Sequence, residues 1–120
     1  MISIKSFEVN YFSENTYLLY DETKEAVIID CGCVRPDEQN EIRDFITANG
    51  LTLKHNLCTH LHLDHIFGND FIFREYGLKP EAHKADVEML PPASQQAKMF
   101  GLHDRVVDTE IGHFLANGEI

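Results

Sequence analysis

The chain has 120 residues, 43% of them hydrophobic, which is enough for one modest domain with a core of its own. Twenty acidic residues against ten scattered basic ones leave a formal charge of −10, a balance that disfavours a general grip on nucleic acid or on anionic membrane surfaces. No stretch approaches the ~20 apolar residues that span a bilayer, and the opening MISIKSFEVNYF lacks a basic n-region and a small-residue cleavage site, so no signal peptide is expected.

The first thirty residues read as β-structure. Phe7, Val9 and Tyr11, then Tyr17 to Tyr20, then Ala26 to Ile29 form three apolar runs rich in β-branched and aromatic residues, separated by the polar turns SEN and DETKE. The run at 26–29 is expected to be buried on both faces. PDEQNEIRDFITANG then carries Pro36 and acids where a helix starts and Gly50 where one ends. Ile42, Phe45, Ile46 and Asn49 give it a narrow stripe for docking on a sheet.

LKHNLCT, 53–59, reads as another strand, and IFGNDFIFREYG, 66–77, as a helix ended by Gly77. KPEAH follows as a short strand, KADVEML as a short helix stopped by Pro91 and Pro92, and SQQAKMFG as one or two further helical turns. VVDTEIGHFLANGEI is ambiguous, although Asn117-Gly118 is a turn signal that usually leads into a strand. The order is that of an α/β layered domain.

The chemistry concentrates in CTHLHLDHIFGN, 58–69, where His60, His62, Asp64 and His65 fall within six positions. Imidazole and carboxylate are the ligands that borderline cations such as zinc prefer. The cluster lies where a strand ends, so loop backbone can aim its side chains in several directions. His60 and His62, two apart on an extended segment, project to one side. Asp64 and His65 follow the turn and address a second point, which predicts two neighbouring metal positions. Leu61 and Leu63 alternate with them as anchors in the core. The remaining histidines, His55, His83, His103 and His113, lack such company and are read as ordinary surface or core residues. Cys31, Cys33 and Cys58 are odd in number and suggest no disulfide framework, which makes a reduced, cytoplasmic setting the expectation. The three are read as structural, with Cys58 close enough to His60 to influence a metal site.

THLHLDH, Thr59 to His65, resembles the T-H-x-H-x-D-H motif of the metallo-β-lactamase superfamily. NTYLLYDETKEAVIIDCG, 15–32, is similar to the N-terminal strands of its glyoxalase II-like branch, with Cys31 where that branch typically has proline. The resemblance implies the N-terminal half of a four-layer αββα sandwich, with residues 1–120 forming that part and the second half absent. It implies that His60 and His62 bind a first metal and that Asp64 and His65 bind a second. Asp64 would also orient the nucleophile, while Thr59 is a motif residue without a ligand role. Zinc is the expected cofactor, two ions per complete site, and iron or manganese suits the same ligands.

The reaction implied is hydrolysis, with metal-bound hydroxide attacking an ester or thioester-like bond. The superfamily's oxygen-reducing diiron branch has an acid where His62 stands, so His62 favours a hydrolase-type site. Two alternatives stay open: a mono-iron persulfide dioxygenase-like enzyme, and an inactive half-domain that needs a C-terminal partner. The resemblance also implies a third histidine, a bridging aspartate and a last histidine that no stretch here supplies. The missing half would leave an apolar sheet face, to be covered by the rest of the protein or by a second copy in a homodimer. The expected small-molecule partner is an ester or thioester.

Overall fold

A computed structural model provides the structure, which describes residues 1–101 and 107–116. Six strands form one sheet in the order of the sequence: β1 (Ser3–Val9), β2 (Glu14–Tyr20), β3 (Glu25–Ile29), β4 (Thr52–Leu57), β5 (Pro80–His83) and β6 (His113–Leu115). The first three run antiparallel, with Ser3 opposite Tyr20 and Tyr17 opposite Ile29; from β3 onward each pairing is parallel. Parallel neighbours need crossovers. These are α1 (Pro36–Ala48) between β3 and β4, α2 (Asn69–Tyr76) between β4 and β5, and α3 (Lys84–Met89) and α4 (Ala93–Met99) before β6.

Because the parallel strands are added in one direction, right-handed crossovers place their helices on the same face. The core lies there. Ile42 and Ile46 of α1 and Phe71 and Ile72 of α2 pack against Phe7, Val9, Leu18 and Ile28. Phe7 meets Phe45 edge-to-face at 5.9 Å. Each such side chain contributes roughly 1.5–3 kcal/mol on burial.

The opposite face is largely bare: Ile4 is 67% and Tyr17 40% exposed. This corrects the expectation for 26–29. Ala26 and Ile28 are buried, but Val27 and Ile29, which point to the other face, are only half-buried. An apolar run tells that a face is sticky, not what covers it.

The helix boundaries have local causes. Pro36 opens α1, and the buried Glu38 turns back to accept the Val34 and Arg35 amides at 2.8 and 3.2 Å. Gly77 stops α2 in the left-handed region, φ 70°, with its amide on the Phe73 carbonyl. The start of α2 comes three residues later than Ile66, because the chain first makes a 3-10 turn at Leu63–His65 and the Gly68 amide is diverted to the Cys31 carbonyl. The ambiguous C-terminal stretch contributes β6, while Asn117-Gly118 and His103 lie outside the described residues. Among the described residues no helix is long and apolar enough to cross a membrane.

Candidate metal centre

The cluster sits at the carboxyl ends of the adjacent parallel strands β3 and β4, the edge where open α/β sheets present their sites. Asp30 follows β3 with left-handed backbone, φ 54°, a conformation that a short polar side chain tolerates. Its carboxylate accepts the Thr59 amide at 2.7 Å and the Thr59 hydroxyl on its other oxygen. The end of β3 is thereby fastened to the start of the ligand loop. With its proton committed to Asp30, the Thr59 hydroxyl accepts from His60 Nδ1 at 3.0 Å, which leaves His60 Nε2 as the lone-pair nitrogen.

Two further anchors fix the loop. Leu61 and Leu63 are buried in separate small apolar clusters, as their alternation predicts. Gln96 of α4, itself buried, accepts the Leu63 amide at 2.8 Å and donates to the Leu61 carbonyl at 2.9 Å, bracketing His62. On the other side the Asn10 amide nitrogen, in the β1–β2 turn, donates to the carbonyls of Gly32 and Asp64 at 2.9 and 2.8 Å. Gln96→Leu would strand the Leu63 amide and the Leu61 carbonyl at about 1–3 kcal/mol for each buried group. We expect a lower thermal midpoint together with weaker metal uptake, measured by denaturation and by zinc titration of the same preparation.

The structure brings His60, His62, Asp64 and His65 together beyond the end of β4. The His60 and His62 rings lie 4.9 Å apart between centroids, but His60 and His65 are closer, at 3.9 Å. Asp64 Oδ2 stands 3.3 Å from His65 Nε2. Asp30 joins them: ligand-type atoms of Asp30, His60 and His65 all lie within 4.8 Å of one another. Neither Asp30 nor Glu14 is singled out in the sequence as a site residue. Asp30 ends a strand that the parallel pairing sets beside β4, and the Asp-Cys-Gly turn is the signal that could have found it. Glu14 carries no such signal; it is an acid at the start of an ordinary strand.

Glu14 is buried with Oε1 3.5 Å from His65 Nδ1, while Asp30 Oδ2 is 3.1 Å from the same nitrogen. Burial pushes the Glu14 carboxyl up to about 8, the Asp30 and Asp64 charges add to the rise, and the Thr16 hydroxyl opposes it. Among the described residues the ion pairs of Asp30 and Asp64 are with His65 alone, so no lysine or arginine neutralises this cup of carboxylates. The His60 imidazole flanked by those of His62 and His65, beside such carboxylates, makes a donor set that fits a divalent cation of the zinc type.

The other candidates have ordinary employment. His55 pairs with Glu81 at 2.6 Å, His83 caps α3 by accepting the Ala85 amide, and His113 lies in β6. The cysteines are free and buried. Cys31 and Cys33 touch at 3.7 Å beneath Gly68. The shared contact and burial raise the Cys31 thiol, and burial pushes Cys58 up to about 12, so neither is poised as a thiolate.

Residues 9–119 match the metallo-beta-lactamase superfamily, and the chain belongs to that family. Among its relatives, the hydroxyacylglutathione hydrolase GloC of Haemophilus influenzae is 33% identical over 105 residues, covering 84% of this chain and 46% of that protein. The hydroxyacylglutathione hydrolase of Pelagibacter ubique is 30% identical over 89 residues, 73% of this chain and 34% of that protein. The chain thus spans between a third and a half of the length of these relatives. The crystal structure of BLEG-1 B3 metallo-beta-lactamase superposes with a TM-score of 0.76 at 25% identity, over 96% of this chain and 54% of that one. The α/β fold expected from the sequence is therefore shown.

Proposed function

We propose that the complete protein is a metal-dependent hydrolase of thioesters, with His60, His62, Asp64 and His65 as its metal ligands in this part of the chain. The observation that carries the proposal is the convergence of three imidazoles and unneutralised carboxylates at the carboxyl ends of β3 and β4. The hydroxyacylglutathione hydrolases that share this sequence support a thioester as substrate.

When bound, a divalent cation supplies Lewis acidity and an activated water at neutral pH. The chain's own residues supply the geometry. Thr59 holds His60 with Nε2 unprotonated. Asp30 fastens Thr59. Asp64, half-buried and beside His65 Nε2, would ligate and orient the attacking nucleophile. Zinc is the metal proposed, two ions per complete site. Residues 1–120 form the N-terminal part of the domain, and its remainder, or a second copy in a homodimer, covers the bare sheet face carrying Ile4 and Tyr17.

The test is thiol release from acylated glutathione by the complete protein, stripped with chelator and reloaded separately with zinc, iron or manganese. Turnover that returns with zinc is the expected result. A zinc-loaded, folded protein without turnover would refute the hydrolase reading, and oxygen consumption with iron alone would replace it with an oxygenase.

A further inference from the structure

Glu14 is the buried ionisable group that the proposed reaction leaves without a task. Its side chain is 1% exposed. Oε2 is within 2.9 Å of the Thr16 hydroxyl, which also lies 2.9 Å from the Asp30 carbonyl and accepts the Gly32 amide. Thr16 has one hydroxyl proton and two acceptors facing it. These contacts hold Oε2 beside the Asp30 carbonyl.

Oε1 then remains as an acceptor. It is buried with no hydrogen-bond partner among the described residues, and so is His65 Nδ1, 3.5 Å away. Two orphaned, complementary atoms facing each other in the interior are costly unless they are used together. Asp30 Oδ2 is nearer to Nδ1, at 3.1 Å, but it already accepts the Thr59 hydroxyl, whereas Glu14 Oε1 has no other partner among the described residues. The carboxyl lies close over Gly32, where an added Cβ would come within 2.5 Å of Oε2.

We propose that Glu14 is a positioning residue of the metal centre: its carboxyl accepts the Nδ1 proton of His65 and fixes that imidazole in the tautomer whose Nε2 is free to bind a cation. The proposal rests on the metal-site reading above. It assigns Glu14 no contact with metal or substrate. A partner of this kind behind a ligating histidine is typically worth ten- to a hundred-fold in metal affinity.

The test compares wild type, Glu14→Gln and Glu14→Leu. Ring nitrogen-15 spectra of the metal-free protein read the His65 tautomer directly, and competition with a chromophoric chelator reads zinc affinity. Glutamine can accept from His65 through its carbonyl and donate to Thr16 through its amide. It should keep the Nδ1–H tautomer and bind zinc within about threefold of wild type. Leucine should lose the fixed tautomer and about ten- to a hundred-fold in zinc affinity. If the leucine variant does not fold, Glu14→Asp, which withdraws the carboxyl by one methylene, takes its place with the same expected loss.

A leucine variant that keeps both tautomer and affinity would overturn the proposal and leave Asp30 as the neighbour that fixes His65 Nδ1. A glutamine variant as weak as leucine would also overturn it, because an acceptor behind Nδ1 would then not suffice. A wild type that binds no zinc refutes the metal-site reading instead, and the tautomer comparison still decides the role of Glu14.

Discussion

Gly32→Ala is expected to unseat the ligand loop. A Cβ on Gly32 would come 2.2 Å from the Asp64 carbonyl, 2.5 Å from Glu14 Oε2 and 2.7 Å from Asn10 Nδ2. The nearest atom is backbone, so it cannot yield by a change of rotamer. Asp64 must shift with the chain that carries it, and the Asn10 amide that holds its carbonyl must shift or let go. Overpacking of this kind costs about 1–3 kcal/mol. We expect a lower thermal midpoint accompanied by a loss of zinc affinity. Gly50→Ala is the control: its φ of 63° strains an alanine, yet nothing lies within 4 Å of the added carbon. That variant should lose about 1–2 kcal/mol from the left-handed conformation and keep its metal. Equal effects on zinc in the two variants would show that Gly32 matters for stability alone.

His60→Ala/His62→Ala is expected to take the complete protein from near-stoichiometric metal to background while leaving it folded. The second half of that statement follows from the structure. His62 is exposed and His60 half-buried, so their removal opens no cavity in the core. The loop they leave is still held by Leu61, Leu63, Gln96 and Asn10. Metal content by elemental mass spectrometry, read beside the thermal midpoint, checks both parts. Metal retained in the double variant would move the site elsewhere in the protein. A folded variant stripped of metal would assign the binding to these two imidazoles.

How much of this was legible in the sequence varied with how local each cause is. Pro36 and Gly50 bracket α1 because a proline opening and a glycine stop act within a few residues. The seven residues from Thr59 to His65 announced the site because all four candidate ligands are near one another along the chain. Asp30 and Glu14 were not legible. They meet the histidines only through the pairing of β2 with β3 and of β3 with β4, and pairing is written in no single segment. The closeness of His60 and His65 was hidden for a related reason. An extended backbone sets His60 and His62 on one side, but the 3-10 turn at Leu63–His65 folds His65 back over His60. That turn is held partly by a glutamine more than thirty residues downstream.

The anchors of the ligand loop have a consequence for how the molecule folds. Asn10 reaches Asp64 across 54 positions, and Gln96 reaches Leu61 across 35. Little within the loop itself would keep its side chains in register once those anchors are cut. Long closures of this kind are entropically unfavourable until both partners are already in place. The centre is therefore expected to form late in folding rather than to nucleate it. A cation that binds there arrives after the rate-limiting step and lengthens the lifetime of the native state without hastening its formation.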